Sequence, residues 1–227
     1  MDEYLSEKEQ IDQIRQWWRE NGWYLIGGVV LAGAGYVGFN QYQAYGERVA
    51  EEAAVLYLEL KQGIKDDDRE QVDELLAQLQ GEYSSSAYID QARLLVATDN
   101  LIRDTDRAVD ELSAVVEQSR DEGLVKIARM RLARVLAYDE QFDRALTILN
   151  VSDLGEFEAR YSEIRGDVHA AAGNIEAARN AYTNALVGAG NATINIELVR
   201  LKISDLIQVT EPDSDDSDES DDSGDDG

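Results

Sequence analysis

The stretch EIRGDVHAAAGNIEAARNAYTNA, residues 163–185, decides how this chain folds. Within it Gly166, Ala178, Tyr182 and Ala185 are separated by intervals of 12, 4 and 3 residues. The intervals of four and three put Ala178, Tyr182 and Ala185 on one face of a helix. Gly173-Asn174 interrupts the run and predicts a turn. Two helices joined by a tight turn follow from this. Small residues let the pair approach closely, and the aromatic ring plugs the gap to the next hairpin.

Working outward, the same signals return. Asp106-Arg-Ala108, Asp143-Arg-Ala145 and Glu176-Ala-Ala178 carry alanines 37 and 33 residues apart, and Ala97, Ala133 and Gly166 precede them at spacings of 36 and 33. Asp104-Thr105 and Asp139-Glu140-Gln141 split the first two units, while Gly123, 150–153 and 188–191 separate units. Three units of this period are similar to tetratricopeptide repeats, which stack helical hairpins into a solenoid. Residues 194–209, with Leu198, Leu201 and Leu206, predict a closing helix. Ahead of the repeats, 48–61 and 69–79 predict helices leading into the stack, burying Leu56, Leu60, Leu75, Leu76 and Leu79. The first helix of each hairpin should line a concave groove, with Leu94, Thr98, Met130, Arg134, Tyr138, Arg160, Glu163 and Asp167 on or near it. Such a groove suits a peptide or partner segment.

Further upstream, residues 21–46 hold no Asp, Glu, Lys or Arg. Their apolar centre, WYLIGGVVLAGAGYVGF at 23–39, spans about 26 Å as a helix and, continued to Tyr42, nears the roughly 30 Å of a bilayer core. Trp17, Trp18, Trp23 and Tyr24 mark one end and Phe39, Tyr42 and Tyr45 the other, as amphipathic rings do at headgroup level. Lys8, Arg15 and Arg19 precede the span and only Arg48 follows closely, which predicts a cytoplasmic N-terminus. Gly28/Ala32 and Ala34/Gly38 are small residues four apart, a spacing that admits a neighbouring helix. Gly33-Ala-Gly35-Tyr-Val-Gly38 has dinucleotide-fingerprint spacing but no preceding strand. Ala32-Gly-Ala34 resembles a signal-peptidase site, yet the acidic leader is long and the apolar run continues past it. A retained anchor is the expectation, with a released soluble repeat protein as the alternative.

Before the span, Ser6-Glu-Lys-Glu9 has capping-box spacing, and Ile11, Ile14, Trp17 and Trp18 build an apolar stripe. Asn21-Gly22 predicts a helix stop. The organisation expected is therefore an all-α chain in five parts. Residues 1–21 form an amphipathic segment, 22–42 a transmembrane helix, 43–83 a helical linker, 84–209 the repeat domain and 210–227 a disordered acidic tail.

Composition excludes several classes. Acids number 47 against 21 bases, for a net charge of −26, so no large contact with nucleic-acid phosphates is expected. Without cysteine there is no disulfide, thiol nucleophile or Cys-based zinc site. His169 is the sole histidine and predicts a solvated or hydrogen-bonded helix residue, not a metal ligand or general base. Asp66-Asp67-Asp68 reads as a solvated loop. No catalytic, cofactor-binding or metal-binding set emerges, and a non-enzymatic protein is expected.

Tyr4, Ser6-Glu-Lys-Glu-Gln10, Ile14, WWRENG at 17–22, the glycine-rich span and the repeat-like helices together resemble the YfgM family. The resemblance covers residues 1 to about 209. It implies a single-pass bacterial inner-membrane protein with a periplasmic repeat domain, acting as an ancillary subunit of the SecYEG translocon. It further implies association with a membrane-anchored periplasmic chaperone of the prolyl-isomerase type, contact with exported client chains, and negative control of a cytoplasmic stress response regulator. A scaffold for another envelope complex is the alternative.

Overall fold

Glu7–Lys65 form one uninterrupted helix, α1, of 59 residues in the computed structural model, roughly 88 Å long at the standard rise. The structure describes residues 7–188, 190 and 194–210, with side chains over 11–188, 190 and 194–206. The expected Ser6 cap and acidic tail lie outside the described residues.

The expected stop at Asn21-Gly22 does not occur. Asn21 Nδ2 donates back to the Trp17 carbonyl at 3.2 Å, bonding within the helix instead of ending it. A Cβ on Gly22 would lie 3.3 Å from the Trp18 indole, so glycine here makes room for a ring packed on the helix surface. One glycine costs a helix only about 1 kcal/mol relative to alanine. That is small beside the cost of leaving backbone groups unpaired at the entrance to a bilayer.

Among the described residues, the apolar part of α1 has almost no packing partner. Only 6 % of its most apolar window is buried, and Trp23, Val29, Leu31, Tyr36 and Phe39 are all exposed. A core helix of a soluble domain would bury that surface. This one presents it around the helix, as a membrane span does.

Past the apolar run α1 changes character. Ala53 and Leu60 are completely buried against Val72, Leu75, Leu76 and Leu79 of α2 (Arg69–Glu82) and Ile89, Ala92 and Val96 of α3 (Ala87–Asn100). The Tyr57 and Tyr88 rings lie 5.6 Å apart, and the Tyr83 hydroxyl donates to Glu52 at 3.1 Å. The segment read as a linker is thus packed into the stack, with the end of α1 and α2 forming a hairpin of their own. The Asp66–Asp68 loop is exposed, as expected of a solvated loop, and within it Asp68 accepts from the Gln71 amide at 3.1 Å as the cap of α2 while Asp67 pairs with Arg103 at 2.6 Å.

Three further hairpins or their parts follow. They are α3 with α4 (Thr105–Gln118), α5 (Glu122–Tyr138) with α6 (Phe142–Leu149), and α7 (Glu158–Ala171) with α8 (Ile175–Val187). The last described helix is α9 (Ile196–Thr210). Ser86, Asp104 and Asp121 cap α3, α4 and α5 by accepting amide hydrogens one turn in. The break expected at Gly123 falls earlier, because Asp121 accepts from Leu124 N at 3.0 Å and puts Gly123 inside the first turn of α5. Glu140 and Gly173 occupy the same left-handed corner of successive hairpins, at φ 57° and 75°.

Clusters of buried residues, each spanning neighbouring helices, join the hairpins. Leu112, Val115, Leu132, Leu136, Leu149, Tyr161 and Ile164 pack between α4 and α7, and Ala159, Ala178, Tyr182, Val199 and Leu206 join α7, α8 and α9. Gly166 meets Tyr182 so closely that a Cβ on the glycine would sit 2.4 Å from the ring. The small–aromatic interval seen in the sequence is this contact.

Candidate functional site

α3, α5 and α7 are the first helices of successive hairpins, the side of the stack expected to carry the groove. Between α3 and α5 this side opens into a cavity of about 340 Å³. Its wall consists of Ala97 and Thr98 from α3, Leu101 just past its end, Leu112 from α4, and Arg131, Arg134 and Val135 from α5. On α5 these residues, with exposed Tyr138 one turn on, fall at i, i+3, i+4 and i+7 of a single face. The Thr98 hydroxyl donates to the Leu94 carbonyl at 2.7 Å, and Arg131 reaches across from α5 to the same hydroxyl at 3.4 Å. Apolar carbon forms the floor and two guanidinium groups the rim. Neither Arg131 nor Arg134 faces a carboxylate among the described residues.

The structure divides the expected groove residues into three sets. Thr98, Arg134 and Tyr138 are exposed on the groove side. Leu94 and Met130 are not groove contacts: both are buried in the core beneath it, because each sits one helical step round from the exposed face, toward the facing helix. On α7, Glu163 and Asp167 are met by α9, and half-buried Arg160 stands beside Glu163. Lys202 of α9 donates to Glu163 at 3.0 Å and to Asp167 at 2.6 Å. Glu163, only 2 % exposed, also accepts from Arg160 at 2.8 Å. The Tyr182 hydroxyl donates to Asp167 at 2.9 Å, and burial beside these carboxylates pushes its ionisation far up. The third unit of the groove is therefore filled by the chain itself.

Sequence spacing missed Leu101, Leu112, Arg131 and Val135 in the open cavity. Leu101 lies three residues on from Thr98, while Arg131 and Val135 lie three before Arg134 and Tyr138, so helical periodicity could have found them. Leu112 comes from a second helix, and no local pattern announces it.

His169, expected to be solvated or hydrogen-bonded, is half-buried on α7 with its Nδ1 buried and unpartnered. The ring is wedged near the C-terminal turn, where the carbonyl acceptors already serve the backbone amides of the α7–α8 corner. Among the described residues no three His, Asp or Glu side chains converge as metal ligands.

At the membrane end, Trp17, Trp18, Trp23, Gly28, Ala32, Ala34 and Gly38 all lie on α1. The three indoles are exposed, and the space beside Gly28 is open. A shallow depression runs along Trp17, Asn21, Tyr24, Leu25, Gly28 and Ala32.

Comparison with known proteins agrees with this architecture. The family model described as a tetratricopeptide repeat-like domain matches residues 15–208. A Haemophilus influenzae protein named ancillary SecYEG translocon subunit is 27 % identical over 206 residues, covering 89 % of this chain and 98 % of that protein. A protein of the same name from Neisseria gonorrhoeae is 27 % identical over 205 residues, with the same coverage of both chains. The Escherichia coli protein of that name is 23 % identical over 209 residues, covering 91 % of this chain and 99 % of its own. No solved structure matches the chain. With the family match spanning the apolar helix and the hairpins alike, the chain belongs to the tetratricopeptide repeat-like domain family and, within it, to the YfgM proteins.

Proposed function

We propose that the chain is a non-catalytic, membrane-anchored ancillary component of a SecYEG-type translocon. In this reading α1 docks beside the channel within the inner membrane, and the repeat domain stands in the periplasm. The observation that carries it is the fusion of two surfaces in one helix. An exposed, bilayer-sized apolar stretch continues without a break into a repeat stack with an open groove. Coverage of nearly the whole length of proteins named ancillary SecYEG translocon subunit supports the same reading. The Lys/Arg bias around the span supports a cytoplasmic N-terminus.

The groove between α3 and α5 is the surface that would hold a partner, either an exported client chain or a membrane-anchored prolyl-isomerase-type chaperone. Any contact with a cytoplasmic response regulator would fall to the segment before the span, where Ile11, Ile14, Trp17 and Trp18 are exposed. Purification in mild detergent after photo-crosslinking from Trp17, Gly28 and Tyr138 tests the assignment. Translocon subunits are expected from the first two positions, and a chaperone or client from the third. Recovery of another envelope complex in place of translocon subunits would refute it. Carbonate washing and protease access in spheroplasts test the anchor and its orientation. A form beginning at Gly35 and free of the membrane would overturn both.

A further inference from the structure

We propose that the loop edge of the stack carries a site for a zwitterionic small molecule, an α-amino acid, held with its ammonium on Asp90 and its carboxylate beside Arg93 and Arg120. At the N-terminal end of α3, away from Thr98, a second cavity of about 400 Å³ opens where the α2–α3 loop meets the α4–α5 turn. Asp90 and Arg93 are three residues apart on α3, so both reach its lining from one face of the helix. Each is only 8 % exposed. Taking a carboxylate that far out of water is costly unless a cation accompanies it. Two acids are buried among the described residues, and they differ in company. Glu163 has Arg160 at 2.8 Å and Lys202 at 3.0 Å, whereas Asp90 has the neutral Ser119 hydroxyl, which donates to its Oδ2 at 2.6 Å. Ser119 is held in turn by accepting from the Asp121 amide at 3.1 Å, so the carboxylate is fixed with Oδ1 left to accept. Arg93 is not its counterion. That guanidinium donates to Gln118 at 2.8 Å and lies 3.8 Å from Glu111, and its Nε makes no hydrogen bond. At the rim Arg120 is exposed and meets no carboxylate among the described residues, while Asp121 is committed to capping α5 through Leu124 N. Charges on the lining therefore balance, two of each sign, and a ligand of one sign gains at one end what it loses at the other. A zwitterion gains at both. Its ammonium accompanies Asp90, and its carboxylate falls on the arginine side, where planar guanidinium groups hold carboxylates through paired N–H donors. Exposed Ser84 and Ser85 add hydroxyl groups at the mouth. A metal ion fits less well, because no three His, Asp or Glu side chains converge among the described residues.

This site goes beyond the adaptor reading and does not depend on it. The test is isothermal titration calorimetry on the full chain in dodecyl maltoside micelles, with glycine, L-leucine and L-glutamine added in turn. Saturable binding of at least one is expected. The N-acetyl form of that amino acid lacks the ammonium and its amide lacks the carboxylate, so each should bind at least tenfold more weakly. Asp90→Asn should weaken binding at least tenfold while the circular-dichroism melt holds or rises, because it removes a buried charge that has no cation; a purely structural Asp90 would lower the melt instead. Arg120→Gln, at the exposed rim, should weaken binding at least fivefold with the melt unchanged. Lys61→Gln, exposed on α1 and outside the lining, should change neither. No saturable binding by any of the three, equal binding of either blocked form, or unaltered affinity in Asp90→Asn and Arg120→Gln would each overturn the site. Calcium chloride titrated alone, binding saturably and losing that binding in Asp90→Asn, would also overturn it in favour of a metal ion. The two readings fail separately. Translocon subunits co-purifying with a chain that binds no amino acid reject only the site, and amino-acid binding without those subunits rejects only the adaptor role.

Discussion

One methyl group at Gly166 would have nowhere to go. With the Tyr182 ring 2.4 Å from the position a Cβ would take, Gly166→Ala must push α7 and α8 apart or force the ring off its rotamer. We expect a loss of about 2–3 kcal/mol in denaturant melts, whereas Gly27→Ala, in open space on α1, should leave the repeat domain unchanged. Tyr161 supplies a second test. Its hydroxyl donates to the Lys126 carbonyl at 2.9 Å, and burial pushes its ionisation from 10.0 to about 12. Because the folded value is raised, this stabilisation is fully present below pH 10 and is lost as pH rises toward 12. Tyr182 shifts the same way. Melting temperature should therefore fall steeply above pH 10, and Tyr161→Phe should flatten that fall. Gly166 and Tyr182 were legible because a close approach needs a missing side chain on one helix and a ring on the other at a fixed interval. Lys202 was not. Its partners Glu163 and Asp167 lie more than thirty positions upstream, and an ion cluster across helices leaves no periodic trace.

Among the elements, α1 departs furthest from its sequence reading. Glycine and asparagine weaken a helix locally, and a local signal does not show that Trp18 will pack over Gly22 or that lipid penalises a break. The hairpin corners were legible for the opposite reason: Asp caps and left-handed corners are set by a few adjacent residues. Gly46 tests whether continuity matters. It is exposed, with open space around it, so Gly46→Pro should interrupt α1 without disturbing the core. The repeat domain's melt should stay the same. Spin labels at Asn40 and Glu59, readily placed in a cysteine-free chain, should show a broadened distance distribution. At the other end, α9 covers α7 through Lys202, Val199 and Leu206. Lys202→Met leaves Glu163 buried with Arg160 still paired to it and should cost about 1–3 kcal/mol. Hydrogen exchange should show that loss concentrated in α7 and α8.

In the whole molecule, stability is passed between neighbouring hairpins, since each hairpin touches chiefly those beside it. A lesion near α1, such as Leu60→Ala, should therefore loosen α2 and α3 by about 2–4 kcal/mol before it affects α8, as read by site-resolved exchange. The stack as an architecture was visible in the sequence, because repetition amplifies weak signals. The open cavity was not, since its lining unites residues from three successive helices and the turn after the first of them.

The 59-residue α1 also sets a compass bearing. A helix turns about 100° and climbs about 1.5 Å with each residue, so the bilayer dictates both the heading of the arginine-edged cavity and its altitude. Adding a single alanine near Gly46 would swing that cavity about a quarter-turn away from any membrane neighbour, and four would bring it nearly back to its original azimuth, some 6 Å higher.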